Sequence, residues 1–285
     1  MAVNDLPIVG DSFKLGFRLQ RYWDTPMASA FFFGELGAGL FFVSLLLESN
    51  RGMLAGLLIT GLLKTYFHLS HMGVPQKSWR AILRPDRSWI SRGLIGIVCF
   101  MGFGGLHLLE VWGLIPGFGG LLKLLAGAAA LVVMTYQGFA MSHSTAISLW
   151  NSGLIPVSSL AYSATAGVMV LLAAAPESAQ LMVPAALILH LCVAVILLSL
   201  LHAARHGSPG ARKSVELLTR TLYAKWFFVL VCGAGVLLPV LLLWFAGSVP
   251  LATMIAATGT LAGYYTFRLL IFKAGVFEPI MSFRP

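Results

Sequence analysis

The sequence predicts an all-α, polytopic membrane protein of eight transmembrane helices, and three observations support this. Of the 285 residues, 58% are hydrophobic and only 10% are charged, whereas soluble domains carry about 25% charged residues. Eight apolar runs reach the roughly 20 residues that a helix needs to cross a hydrocarbon core. Fifteen of the nineteen Lys and Arg residues fall on one side of the stack that these runs form.

The predicted spans follow one another with short connections. They lie at residues 26–48, 52–71, 90–112, 121–145, 155–175, 181–204, 222–246 and 251–273. An even number of spans places both chain ends on the same face. The chain is thereby divided into an N-terminal segment (1–25), a transmembrane domain (26–273) and a C-terminal tail (274–285).

The distribution of basic residues predicts the orientation. The basic face carries both chain ends and the two longer connections, 72–89 and 205–221; the opposite face keeps only Arg51 and Lys123. Loops rich in Lys and Arg stay in the cytoplasm. We therefore expect a bacterial inner-membrane protein with both termini cytoplasmic. The net charge of +9 belongs to these loops and does not indicate a nucleic-acid partner.

The N-terminal segment predicts an interfacial helix over residues 11–23. Lys14, Arg18 and Arg21 recur there at helical spacing on one face, beside aromatic side chains suited to the headgroup boundary. The segment lacks the apolar core of a cleavable signal peptide. The alternative is a solvated leader that precedes the first span.

Cysteine usage argues against a metal centre in this chain. Cys99, Cys192 and Cys232 each stand alone inside an apolar run. A cubane cluster needs four thiolate ligands, so we expect no iron–sulfur cluster and no metal site.

The connection between spans two and three carries the most informative motif. It reads HMGVPQKSWRA over residues 71–81 and SWISR over 88–92. Gly73 and Pro75 suit a helix end, and the indoles of Trp79 and Trp89 suit a membrane interface. Because Arg is favoured at protein interfaces, we expect this loop to dock an acidic partner, although the positive-inside signal alone also accounts for its charge. The candidate docking residues are Lys77, Trp79, Arg80, Arg84, Arg87 and Arg92.

This motif resembles the His-Leu-Gly-x-Pro-x-x-x-Trp-Arg…Ser-Trp-x-Ser-Arg signature of the dimethyl sulfoxide reductase anchor and NrfD/polysulfide reductase membrane-subunit family. Chain length, the eight spans and the run 34–39 (GELGAG) agree. The resemblance implies two four-helix bundles and a membrane anchor for a molybdopterin catalytic subunit and an iron–sulfur subunit. It also implies electron exchange between ubiquinone or menaquinone and the nearest cluster, usually without haem.

The family resemblance also suggests residues for the quinone site. The motif histidine implicated in quinone chemistry is His71 here. Some relatives carry a glutamate at the position of Gly93, so a carboxylate for proton transfer must come from elsewhere in this chain.

The residues themselves offer a substitute for that glutamate. Glu35 and Lys64 lie roughly 13 and 10 Å from the basic side at 1.5 Å per residue, and an intramembrane charge costs at least about 2.5–3.5 kcal/mol. We therefore expect them to pair, either as a proton relay or as a structural ion pair. Since His titrates near neutrality, His143 at the basic end of span four joins the predicted quinone site. The full set is His71, Glu35, Lys64, His143, Tyr264 and Arg268.

Two other functions remain open from the sequence. A cytochrome b-type anchor would hold haem between facing histidines, with His107 opposite His190, or His143 opposite His68 or His71. Haem is not expected, because the family usually lacks it. A secondary transporter would need broken helices in matched halves and polar groups near the midplane, whereas the polar groups cluster towards one end. The substrate of the catalytic partner and the direction of electron flow are left open.

Overall fold

The computed structural model describes residues 17–175 and 179–278, and nearly all of them are helical. The helices are α1 (Thr25–Leu46), α2 (Asn50–Leu58), α3 (Thr65–His71), α4 (Trp89–Val111), α5 (Leu121–Ser142), α6 (Leu154–Ala174), α7 (Ala179–Arg205), α8 (Pro209–Arg220), α9 (Leu222–Trp226), α10 (Leu238–Ala246) and α11 (Pro250–Lys273). The π-helical stretch Ile59–Lys64 joins α2 to α3 in one continuous helix, and the stretch Phe227–Leu237 joins α9 to α10 in the same way. A 3₁₀ helix, Pro75–Ile82, follows α3.

Seven of these helical stretches are long and apolar enough to cross a membrane: α1, α2–α3, α4, α5, α6, α7 and α9–α10. An all-α, multi-pass membrane protein is thus confirmed. Helix α11 has the length, with 24 residues, but it is not among the seven. Threonines, tyrosines and Arg268 lower its hydropathy, and Thr260, Tyr264 and Arg268 are buried against neighbouring helices.

Helix α1 occupies the centre of the molecule. In its apolar window 83% of the residues are buried, against 28–61% in the other six, and it contacts α2, α5, α6 and α11. One core cluster joins α1 to α2, α4 and α5 around Phe41 and Phe100. The clusters around Phe272 and Met169 join α1 to α6, α7 and α11. The small residues of α1 permit this close packing on several sides.

Helices α1 and α6 approach each other closely at Gly39 and Gly167. A Cβ on Gly39 would overlap the carbonyl of Ser163, and a Cβ on Gly167 would overlap the carbonyl of Gly39. Backbone cannot yield as a flexible side chain can, so any larger residue here must push the helices apart. Small residues at such crossings are the usual way membrane helices pack closely.

We expect Gly39→Ala to lower stability by about 1–3 kcal/mol, as overpacking does. Gly102→Ala is the matched control, because a Cβ on Gly102 in α4 meets nothing within 4 Å and alanine improves helix propensity. Thermal unfolding in detergent should show a lower midpoint for Gly39→Ala alone. Equal midpoints for both variants would contradict this packing.

The two described chain ends meet at the basic face. Strand β1 (Arg18–Leu19) pairs antiparallel with β2 (Val276–Phe277), and Gln20 extends the contact through its side-chain bonds to Trp23 and Phe272 carbonyls. Of the predicted interfacial helix, residues 11–16 lie outside the described residues. The helix prediction is wrong for residues 17–23, because Arg18 and Leu19 pair with β2, Gln20 N bonds to the Gly275 carbonyl, and residues 22–23 form a bend.

Helix α8 forms most of the second basic connection. It begins at an N-cap serine, Ser208, and its buried face packs on α7 and α9. The Glu278 carboxylate accepts bonds from Ser208 Oγ, Gly210 N and Ser148 Oγ. Glu278 therefore ties the chain end to two connections of the basic face.

Candidate functional site

A cavity opens between helix ends at the basic face. It is partly open to the surface, and its lining is mostly apolar and aromatic. The lining residues are Trp23, Met27, Phe31, His68, Ile90, Leu94, Tyr136 and Ala140. They come from the start of α1, the end of α3, the start of α4 and the end of α5. The four helices meet here because each begins or ends at the same face.

His68 supplies the ionisable nitrogen of the cavity wall. Its Nδ1 is enclosed and makes no hydrogen bond to any residue in 17–175 or 179–278. A buried polar atom of this kind usually has a partner, so His68 has an unmet hydrogen-bonding capacity beside the cavity. The sequence placed His68 only at the flank of the site.

His71, the predicted quinone-binding histidine, lies one turn further towards the surface and is not part of the cavity lining. Its Nδ1 is 2.9 Å from Asp24 Oδ1. The same Asp24 oxygen accepts a bond from Met27 N at 3.2 Å and caps α1. Sequence analysis missed Asp24, although an Asp-Thr-Pro before an apolar run is a recognisable helix-start signal.

Tyr136 forms the wall of the cavity that faces α4. Its ring occupies the space into which a side chain at position 93 would project, so a Cβ on Gly93 would overlap it. The glycine that replaces the glutamate of some relatives is therefore required by this tyrosine. Lys64 Nζ lies 5.7 Å from the centre of the same ring.

Glu35 lies deeper in the bundle and pairs with Arg268. Arg268 Nη2 and Nε are 2.6 and 2.9 Å from Glu35 Oε2, and both side chains are 0% exposed. The Tyr264 hydroxyl also donates to Glu35 Oε2, and Arg268 Nη2 donates to Ser159 Oγ at 2.7 Å. This cluster joins α1, α6 and α11. Ser159 was not predicted, since nothing in its sequence context marks it.

The expected Glu35–Lys64 pair is not formed: Glu35 pairs with Arg268 through Oε2, and its Oε1 has no hydrogen-bond partner among the described residues. Lys64 is 3% exposed. Its aliphatic chain lies against α1, where a Cβ on Gly34 would meet both Lys64 and the Gln137 amide. Gly34 thus makes room for the lysine.

His143 ends α5 as a cap and is not among the cavity-lining residues. It is exposed, and its Nε2 accepts a bond from Trp89 Nε1 at 3.0 Å. Its Nδ1 lies 3.1 Å from the Phe139 carbonyl, which can only accept. Both ring nitrogens are therefore engaged, and the ring fastens α4 to α5.

The loop predicted to dock a partner is mostly exposed at the basic face. Lys77, Trp79, Arg80, Arg84, Arg87 and Arg92 are all exposed. Arg92 also fixes the loop, since its Nε and Nη2 donate to the carbonyls of Pro85 and Asp86 at 2.8 and 3.0 Å, and its guanidinium lies 4.6 Å from the Trp89 ring centre. The loop is thus held in shape next to the cavity.

Two histidines on the opposite half already have protein partners. His190 is 0% exposed; its nitrogens lie 2.7 Å from the Ala186 carbonyl and 2.9 Å from Thr260 Oγ1. His107 Nδ1 lies 3.3 Å from Glu110 Oε2. Within residues 17–175 and 179–278, no group of three or more His, Cys, Asp or Glu residues has the arrangement of a metal site.

Comparison with known proteins gives one family match. The family described as polysulphide reductase, NrfD, matches residues 17–279 and so covers almost the whole chain. This confirms the resemblance drawn from the loop motif. No curated protein matches the sequence.

Proposed function

The chain belongs to the NrfD family of membrane subunits of redox complexes, and on that basis we propose that it exchanges electrons between membrane quinone and a partner iron–sulfur subunit. The complex would include a molybdopterin catalytic subunit. The quinone is ubiquinone or menaquinone. The chain itself is a quinone-reactive subunit and carries no redox metal.

The observation that carries this proposal is the cavity at the basic face. Aromatic rings of Trp23, Phe31 and Tyr136 offer flat apolar surfaces for a quinone ring, and His68 offers an imidazole whose enclosed Nδ1 has no partner among the described residues. Small-molecule sites typically combine an apolar lining with a few placed polar groups. The cavity also lies where a quinone headgroup resides, at the end of the apolar spans.

A partner bound to the docking loop would lie next to this cavity. His68 and the loop are separated by only one turn of α3, and Ile90 of the cavity follows the loop directly. An acidic face on a cluster-bearing partner would meet the exposed arginines. Electrons then pass over a short distance between the cluster and the quinone, with no redox group of this chain between them.

The pairing of β1 with β2 supports an even number of membrane crossings, eight in all. Strand β1 precedes α1 and strand β2 follows α11, and they bond to each other. A chain that enters and leaves at one face must cross an even number of times, so α11 completes the seven apolar spans. With Lys and Arg concentrated at that face, both ends lie in the cytoplasm.

The two alternative functions have weaker support. A haem held by His107 and His190 would require His190 to give up one of its two partners, and a haem held by His143 and His68 would require the same of His143. A transporter needs broken helices with polar groups at the midplane. The π-helical stretches at Ile59–Lys64 and Phe227–Leu237 are the nearest equivalent, and they remain continuous helix.

The partner prediction is tested by purifying the tagged chain in mild detergent, with mass spectrometry and metal analysis. We expect molybdenum or tungsten, iron and two soluble subunits. The variant Arg80→Gln/Arg84→Gln/Arg87→Gln should lose them, because it removes charge from the docking loop.

The matched control removes the same charge from the second basic connection, as Arg205→Gln/Arg212→Gln/Arg220→Gln. This control should keep its partners. A metal-free chain that purifies alone from wild-type cells contradicts the proposed complex, and equal loss in both triple variants contradicts this docking surface.

A further inference from the structure

We propose that Asp24 and His71 form the port through which protons pass between cytoplasmic water and the cavity. This inference rests on the proposed quinone reaction. It assigns a role to Asp24, the helix-capping carboxylate, that is separate from capping. It also separates the two histidines of α3, since His71 exchanges protons with water and His68 contacts the quinone.

The chemistry of the reaction requires such a port. Reduction of a quinone to its quinol takes two electrons, here from the partner's iron–sulfur cluster, and two protons, one for each carbonyl oxygen. Oxidation of the quinol returns the same two protons and two electrons. The lining of the cavity is otherwise apolar, so protons need a titratable path to the carbonyl oxygens.

The geometry orders the groups from solvent inward. The Asp24 side chain is 49% exposed and the His71 side chain is 22% exposed, with 2.9 Å between Oδ1 and Nδ1. His68 follows one turn deeper on the same helix face, where residues three apart are neighbours, and its Nδ1 is enclosed. Trp23 and Met27 flank Asp24 in sequence and both line the cavity. The pair therefore stands at the rim.

The other titratable groups near the cavity are less suited to exchange with water. The Glu35 carboxylate is fully buried and bonded to Arg268. Lys64 is only 3% exposed. His143 has both nitrogens engaged by Trp89 and the Phe139 carbonyl. Of these acidic and basic groups, Asp24 alone combines an exposed carboxylate with a bond to a histidine beside the cavity.

The variant Asp24→Asn distinguishes a role of Asp24 in proton exchange from a purely structural role. Asparagine is as good a helix cap as aspartate, so it can keep the bond to Met27 N and fill the same space. It cannot carry a proton at neutral pH. Glu216→Gln is the control, since Glu216 is an exposed carboxylate of the same face, paired with Lys213 at 3.0 Å and remote from the cavity lining.

The experiment uses the complex purified through a tag on this chain, with a short-chain quinone as substrate. We expect Asp24→Asn to reduce quinone turnover about 100-fold, the low end for loss of a proton-transferring group, with unchanged equilibrium binding of the quinone. Added formate or azide, small weak acids that can carry protons to His71, should restore much of the turnover. The solvent isotope effect should also rise above that of the wild type.

Three outcomes would count against the port. Unchanged turnover in Asp24→Asn overturns it directly. Reduced turnover without rescue by weak acid, or with weakened quinone binding, shows that Asp24 is structural only. If the wild-type complex binds no quinone, the proposed function itself fails. That failure can be told apart from failure of the port, because it is seen in the wild type before any variant is compared.

Discussion

Arg268→Met is expected to destabilise the helix bundle by about 3–5 kcal/mol, the cost of breaking a buried ion pair from one side. The substitution keeps the length of the side chain but leaves the Glu35 carboxylate buried at 0% exposure with only the Tyr264 hydroxyl as a donor. It also removes the bond to Ser159 that connects α11 to α6. Thermal unfolding of the purified chain in detergent measures the loss.

Two further variants identify the ion pair as the cause. Glu35→Gln/Arg268→Met should recover a large part of the loss, because no uncompensated charge remains buried. Lys64→Met should cost far less than Arg268→Met, since Lys64 makes no ion pair with the described residues. If Lys64→Met is as unstable as Arg268→Met, that result would instead support the Glu35–Lys64 ion pair that the sequence predicted.

The depth of charged residues was predictable, but their pairing was not. The sequence placed Glu35, Lys64 and Arg268 correctly inside apolar runs, and all three are buried. Depth follows from counting residues at 1.5 Å each. Pairing depends on how each helix is rotated about its axis and on which helices are neighbours. Glu35 and Arg268 are 233 residues apart, and only the packing of α1 against α11 brings them together.

Sequence reasoning placed the quinone site at the face where the cavity opens, but the histidine that lines this cavity is His68 and not His71. His68 and His71 are three residues apart, so a regular helix places both on one side. The π-helical stretch Ile59–Lys64 precedes them, and its i→i+5 bonds alter the rotation of α3 relative to α2. The walls Trp23 and Tyr136 come from other parts of the chain. Their roles follow from tertiary packing.

The pairing of the chain ends was beyond sequence reasoning for a different reason. Each strand has two residues, too few for an alternating pattern to be seen, and its partner lies at the other end of the chain. The basic residues of 11–23 suggested a helix by their spacing alone. In the described part, the backbone of residues 18–20 instead bonds to residues 275–277, and this contact outweighs local helix propensity.

His68→Gln is expected to reduce quinone turnover by about 100-fold or more, within the range for loss of an acid–base group, and to weaken quinone binding. Glutamine keeps a hydrogen-bonding group of similar size at the cavity wall but does not titrate near neutrality. Because His68 lies within α3 and not in the docking loop, partner subunits should remain bound. Turnover with a soluble dye, which bypasses the membrane subunit, should be unchanged.

His71→Gln gives the comparison that separates the two histidines. Both variants should lose quinone turnover, but for different reasons. The His71 variant should keep wild-type quinone affinity, because His71 does not line the cavity. The His68 variant should lose affinity, because its imidazole nitrogen is the only enclosed, unbonded polar atom in the described cavity lining. If His68→Gln keeps wild-type turnover and affinity while His71→Gln loses both, the quinone binds at His71, outside the cavity.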